Sequence, residues 1–381
     1  MAVKLREQDN GVVVYRVTED AFRKSDIYCE LPYCSADSRI FVFARKNPAY
    51  APNDTEYVAC EFGAWETKII GRGLGDWEVN IPGQWLGGPA MTHTGIFCYR
   101  RVVKGAQEVV RLDLATGDSD VVFHLPEGFH PRGCATMSPD GRYYAHGVTL
   151  GFDPQMFGIE LIDLASGSRE IIFTDPFICN PHTQFEPASG KQLMVQHNRG
   201  CQFRPDGARV KLVGQEGATE LVVDIPDGKV TRLEVGLPYT TPITGHEAWA
   251  PGAGEILLTV SPNGDYTPEK GNLLGVRAGE HPRVVATGYR FNHVGASPCG
   301  RFFFCDDWQG ASKLLAGSVR TGKVVVICEA HTSMGTLQNT HAHPYLSPDL
   351  KWLVFNSDQS GQSQIHVAAV PPEMIENLER T

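Results

Sequence analysis

The chain lacks the marks of several protein classes. Its 10 Cys form no CxxC pair and no regular spacing, so neither a disulfide scaffold nor a thiolate zinc motif is written into it. No apolar run approaches membrane-spanning length, and the opening Met1-Ala2-Val3-Lys4-Leu5-Arg6-Glu7 has no apolar core of the secretory kind. Reduced thiols in a cytoplasmic protein are the resulting expectation. Positive charge is also scarce: 34 Lys+Arg stand against 44 Asp+Glu, a net charge of -10. That balance argues against nucleic acid or an anionic membrane as the main partner. An acidic small substrate is still admissible where the site itself is locally positive.

What is present belongs to an ordinary globular protein. The hydrophobic fraction is 42% and the charged fraction 20%, ample for a core. The 40 Gly and 25 Pro are scattered at turns and not gathered in a linker, the pattern of many short strands with tight connections. A strand, a turn of Ser-Pro-Asp-Gly type and a strongly apolar strand recur, with turns starting at Ser35, Thr92, Ser138, Glu186, Ala250, Ser297 and Ser347. The separations are 57, 46, 48, 64, 47 and 50 residues, around the period of four-stranded propeller blades. The two long intervals predict loop insertions. Outer hairpins are expected around Ala115-Thr116-Gly117, Ala165-Ser166-Gly167 and Pro226-Asp227-Gly228. The seventh unit is one strand short, and Gly11–Val17 at the other end of the chain can supply it, covering an unpaired edge. The expected fold class is all-β: one domain over residues 1–381, a seven-bladed β-propeller whose last blade is closed by an N-terminal strand.

Measured from the landmark turns, four histidines share one position: His182, His246, His293 and His343 each lie four residues before a turn. In a propeller the first strand of each blade lines the channel, so these residues are expected to converge. His341, two before His343, falls on the same face of an extended segment, and Gln338 can swing its amide oxygen to the same point. The competing reading is a packing histidine inherited by each blade, and His182 is the member that fits it best. Packing roles are also assigned to His93, His124, His130, His146, His281, His331 and His366. Imidazoles crowded in one ring are hard to satisfy without a metal or an anionic ligand. His293, Gln338, His341 and His343 make a ligand set for a divalent first-row ion, which leaves His246 as a general base. Arg132, Arg199, Arg209 and Arg290 are the nearby basic candidates, each also readable as a surface group.

The pattern Gln338-x-x-His341-x-His343, with His293 in Phe291-Asn292-His293-Val294 and His246 in Gly245-His246-Glu247-Ala248-Trp249, resembles the oligogalacturonate lyases over nearly the whole chain. The resemblance implies a seven-bladed propeller, Mn2+ held by His293, His341, His343 and Gln338, and His246 as Brønsted base. It further implies an arginine that assists the substrate, matched by Arg209 after His197, with Arg204 or Arg199 as substitutes. His182, His197, Arg199 and Arg132 are the expected substrate-facing residues. The implied reaction is β-elimination of a short acidic oligosaccharide to a 4,5-unsaturated product. The segment Asn198-Arg199-Gly200 departs from the family's acidic-Gly-Pro continuation, which bears on the substrate more than on the chemistry. A lyase or hydrolase acting on a different uronic-acid glycan, and a non-catalytic binding module, are the alternatives; self-association into a homo-oligomer stays open.

Overall fold

A computed structural model describes residues 2–50, 54–75, 89–126 and 131–380. Seven antiparallel sheets follow one another along the chain as the blades of a seven-bladed β-propeller, the expected fold class. Contacts group the chain into two compact units: Met1–Arg72, His246–Gly275 and Arg283–Thr381 form the first, Gly73–Gly245 and Val276–Pro282 the second.

In the first unit, blade six runs Gly295–Ala296, Phe302–Asp306, Lys313–Ser318, Val324–Glu329, and blade seven begins with Tyr345–Leu346, Trp352–Ser357 and Gln364–Ala369. The landmark serines explain the tight reversal after each first strand. Ser347 Oγ accepts from Trp352 N–H at 3.1 Å and donates to Asp349 Oδ1 at 2.7 Å, while Ser297 Oγ accepts from Phe302 N–H at 3.1 Å. These bonds satisfy turn donors that the ladder cannot reach. The N-terminal strand Val13–Arg16 pairs with Gln364–Ala369, with Tyr15 opposite Val367, and closes the blade as expected. A fifth strand that the repeat does not announce, Val3–Glu7, folds back onto Val13–Arg16. A helix that the repeat does not announce either, Pro372–Glu379, buries Ile375 and Leu378, packs on the blade-six strands Lys313–Ser318 and Val324–Glu329, and is tied down by Thr321 Oγ1 donating to Leu378 O at 2.7 Å. Phe291, Val294, Phe303, Cys305, Leu257 and Leu273 make a core shared by blade six and the strands Glu255–Val260 and Leu273–Val276 of the blade before it.

In the second unit, blade three (Pro131–Met137, Tyr143–Phe152, Gln155–Asp163, Ser168–Asp175) and blade four (Gln184–Phe185, Gln192–His197, Thr219–Asp224, Val230–Arg232) share a core of Phe157, Ile159, Phe185, Leu193, Val195 and Leu221. The long interval in blade four is an insertion, as expected: a separate hairpin of Gln202–Phe203 and Arg209–Lys211 between its second and third strands. The other long interval contains residues 76–88, which lie outside the described residues, as does His130. All ten cysteines are free, nine of them fully or partly buried. Among the described residues no helix is long and apolar enough to cross a membrane.

Candidate metal centre

The segment Gln338–His343 is not the extended strand that its spacing suggests. Gln338–Thr340 form one 3-10 turn, in which His341 N–H donates to Gln338 O at 3.0 Å and Thr340 Oγ1 donates to Leu337 O at 2.6 Å. His341 is extended, with φ -96° and ψ 153°, whereas His343 is left-handed, with φ 43°. Pro344 has no N–H to give a ladder, and the blade's first strand starts only at Tyr345. The two imidazoles therefore meet through a turn and not through alternation along a strand. Gln338 sits exposed on that turn.

The structure brings three of the four register histidines together in the first unit. The ring centroids of His293 and His343 are 4.4 Å apart, those of His293 and His246 4.3 Å, and His341 lies 5.3 Å from His293 and 5.5 Å from His343. His293, His341 and His343 each offer one ligand atom, and these atoms lie within 4.8 Å of one another. Trp308 walls the cluster at 5.2 Å from His293 and 4.8 Å from His341, and Tyr28 stands 4.8 Å from His343. His246 lies half-buried in the strand Ile243–Ala250.

Each ring is held differently. His293, 1% exposed, has its backbone N–H on Asp306 Oδ1 and its Nδ1 on Asp306 Oδ2, both at 2.8 Å. Asn292 Nδ2 lies 3.3 and 3.4 Å from the two ring nitrogens, too long and too evenly shared to fix either. His341 Nε2 meets Gly335 O at 2.8 Å, which makes Nε2 the protonated nitrogen and Nδ1 the one with a free lone pair. His341 Nδ1 and both nitrogens of His343 are buried without a hydrogen-bond partner among the described residues. Burial pushes the His341 imidazolium down, with the Gly335 carbonyl opposing and His293 assisting. Burial, then the neighbouring His293, His341 and His246, push His343 well below the usual histidine range. Both rings are thus neutral, the ligating form, and a buried polar atom left unmet costs about 1–3 kcal/mol. A divalent cation fits this donor set, since it satisfies the orphaned nitrogens without adding a proton.

The remaining expected site residues are in the second unit. His182 has a left-handed backbone, φ 44°, matching the 43° of His343 at the same place in the repeat. His197 is buried at the end of its strand, its Nε2 on Asp175 Oδ1 at 2.9 Å. Arg199 donates Nε to Gly217 O at 2.9 Å, Nη1 to Leu237 O at 2.6 Å and Nη2 to Glu216 O at 2.7 Å, stapling three loop carbonyls. Arg209 is exposed on the inserted hairpin. Arg132 is fully buried among the rings of Phe152, Phe157 and Phe203. Sequence reading missed Trp308, Tyr28 and the part played by Asp306. The signal for Asp306 was there: the blade-six pairing of Gly295 with Phe304, carried back two residues, sets His293 opposite Asp306.

No family model and no curated protein matches the sequence. Solved structures do match in fold. The oligogalacturonate lyase of Vibrio parahaemolyticus is 16% identical with a TM-score of 0.72, covering 98% of this chain and 97% of that one. An oligogalacturonate lyase in complex with manganese is 15% identical with a TM-score of 0.73 and the same coverage. The β-propeller domain of the trilobed protease from Pyrococcus furiosus is 11% identical with a TM-score of 0.52, covering 92% and 94%. This chain shares the seven-bladed propeller fold of the oligogalacturonate lyases from end to end.

Proposed function

We propose that the protein is a metal-dependent lyase that cleaves short uronate oligosaccharides, of the oligogalacturonate kind, by β-elimination. The observation that carries this reading is the cluster of His293, His341 and His343, with orphaned buried nitrogens, directly beside the half-buried His246. His293 Nε2, His341 Nδ1, a nitrogen of His343 and the amide oxygen of Gln338 are the ligands in this proposal. Manganese is the ion proposed, in line with the propeller of matching fold that is a manganese complex. When bound, a divalent ion supplies Lewis-acid polarisation of the substrate's C6 carboxylate, which acidifies the C5 proton.

His246 is the base in this reading, an imidazole able to accept a proton near neutral pH. It takes the proton from C5; the C5–H electron pair becomes the C4–C5 double bond, and the C4 oxygen leaves with its bonding pair and is then protonated. No water is needed as nucleophile. Trp308 and Tyr28, packed on the imidazoles, shield the ligand side from solvent. Arg209, on the inserted hairpin, is the proposed charge partner of the substrate. Asp306 is engaged by His293 and Asp307 by Arg290 N–H at 3.1 Å, so these two adjacent acids do not form the spaced pair that a hydrolase uses.

The deciding experiment incubates Mn2+-loaded protein with a panel of uronate oligosaccharides and follows the ultraviolet absorbance of a 4,5-unsaturated uronate. Absorbance growth with oligogalacturonides supports the reading. A panel with no response from metal-loaded protein overturns it.

A further inference from the structure

We infer that Asp306 is a positioning residue that sets the tautomer of His293 and thereby makes Nε2 its metal-facing nitrogen. The inference rests on the reading of the histidine cluster as a divalent-metal site, and it assigns a role to a residue outside the ligand set. Asp306 is fully buried and spends both carboxylate oxygens on one residue: Oδ1 on the backbone N–H of His293 and Oδ2 on its Nδ1, each at 2.8 Å. A carboxylate only accepts hydrogen bonds, so Nδ1 carries the proton and Nε2 carries the lone pair. Two bonds from one rigid group fix both the backbone and the ring rotation of His293, which places that lone pair before any ion arrives. Such outer carboxylates orient ligating histidines and raise their basicity, and removing one typically costs 10- to 100-fold in metal affinity.

The neighbouring ligand is preset by a different device. His341 gives Nε2–H to the Gly335 carbonyl and so presents Nδ1. The two rings therefore offer different nitrogens, each chosen by the acceptor behind it. Only the His293 acceptor is a side chain, and only there can one substitution reverse the choice. In Asp306→Asn the shape is kept, but an amide has one oxygen and one NH2. Its oxygen is claimed by the His293 backbone N–H, and its NH2 then faces Nδ1. The imidazole is driven to the Nε2–H tautomer, whose lone pair lies on Nδ1 and not on the metal-facing nitrogen.

The test measures Mn2+ binding to the purified full-length protein by electron paramagnetic resonance, together with imidazole tautomers of the metal-free protein by 15N-histidine NMR. Wild type is expected to bind Mn2+ and to show His293 protonated at Nδ1. Asp306→Asn is expected to bind Mn2+ 10- to 100-fold more weakly, with its His293 signal switched to Nε2–H, a change that a merely structural role for Asp306 would not produce. Binding by D306N within about twofold of wild type overturns the role of Asp306 while leaving the metal site intact. Wild type that takes up no Mn2+ overturns the metal site and this inference with it. Should D306N not fold, the wild-type spectrum decides alone: His293 protonated at Nε2 overturns the inference.

Discussion

Asp306 and Asn356 occupy the same register on successive blades, each thirteen residues beyond a repeat histidine, His293 and His343. In blade seven, pairing Tyr345 with Val354 sets His343 opposite Asn356, as blade six sets His293 opposite Asp306. The two residues do related work by different means. Asp306 grips the histidine of its own register, whereas Asn356 grips the chain just before His343: its backbone N–H donates to Ala342 O at 2.9 Å and its Nδ2 to His341 O at 3.2 Å. Asn356 is itself clamped by Asp26, whose N–H donates to Asn356 Oδ1 at 2.8 Å and whose Oδ1 accepts from Asn356 Nδ2 at 2.6 Å. Burial pushes the Asp26 carboxyl well above the usual carboxylate range, with the Asn356 hydrogen bond opposing.

Replacing Asn356 with Ala removes the side-chain half of that clamp. It leaves Asp26 N–H, Asp26 Oδ1 and His341 O buried without partners, and each orphan costs about 1–3 kcal/mol. A stability loss on the order of 3 kcal/mol is expected in denaturant unfolding. Mn2+ affinity should fall as well, since the backbone that carries both His341 and His343 loses its side-chain brace and keeps only the Ala342 bond. An unchanged unfolding midpoint would show that the clamp contributes nothing.

His246→Ala and His341→Ala should separate the base from the ligands. H246A removes a ring that packs on His293 but is no member of the proposed ligand set; it should keep Mn2+ and lose lyase turnover by at least 100-fold. H341A should lose both, because a ligand nitrogen is gone. Metal content by elemental analysis beside the absorbance assay reads the two effects. Loss of Mn2+ from H246A would move His246 into the ligand set.

The repeat was legible because its turn chemistry recurs: Ser138, Ser297 and Ser347 each bond the N–H that opens the next strand. The closing strand, expected in Gly11–Val17 and found at Val13–Arg16, was legible because an incomplete blade needs one. The course of Gln338–His343 was not. A spacing of two is shared by a strand and by this 3-10 turn followed by a left-handed residue, and the bonds that select the turn come from Leu337 and Gln338 carbonyls. Tyr28 was hidden for another reason: it reaches His343 from the far end of the chain, and a single sequence gives no sign of that contact.

Acid should destabilise the fold through its buried histidines. His366, 1% exposed and stacked on Phe355, is pushed down to about 4, by burial first, with Arg16, Arg6 and His331 assisting against the Gln364 carbonyl. Unfolded, it titrates near 6.5. Between these values the unfolded chain binds the proton and the folded chain does not, so stability falls as pH drops from 6.5 toward 4 and is unaffected above. The slope is about 1.4 kcal/mol per pH unit for one such group. His341 and His343 are shifted the same way and add to it in metal-free protein. His366→Gln should flatten part of this acid flank in a series of thermal melts, while leaving the melting temperature's pH dependence above 7 as it was. An acid flank identical to wild type would remove His366 from the account.

Arg132 and Arg209 should part company when mutated, because one is a buried cation and the other a surface one. Arg132 is fully buried, its guanidinium carbon 5.4, 4.9 and 4.8 Å from the ring centroids of Phe152, Phe157 and Phe203. Its one hydrogen bond among the described residues runs from Nε to Thr149 Oγ1 at 2.7 Å, and Nη1 and Nη2 have no partner. Burial, helped by the like charge of Arg209, lowers its pKa to about 10, a sign of how poorly the charge is compensated. A buried charge replaced by an apolar side chain of similar volume is often neutral or stabilising, since its desolvation cost disappears. Arg132→Met, which fills the aromatic cage without a charge, should therefore melt at or above the wild-type temperature. Arg132→Ala should lose on the order of 3 kcal/mol to the cavity it leaves. Arg209→Ala, at an exposed position, should stay within about 0.5 kcal/mol of wild type. On the proposed lyase reading, activity then tells which arginine meets the substrate's charge. A tenfold rise in KM for R209A at unchanged stability places the substrate charge at the hairpin tip, and the same rise for R132M places it at the cage. A stable R132M with wild-type kinetics leaves Arg132 as a cation held by its three rings and Thr149, with no part in binding.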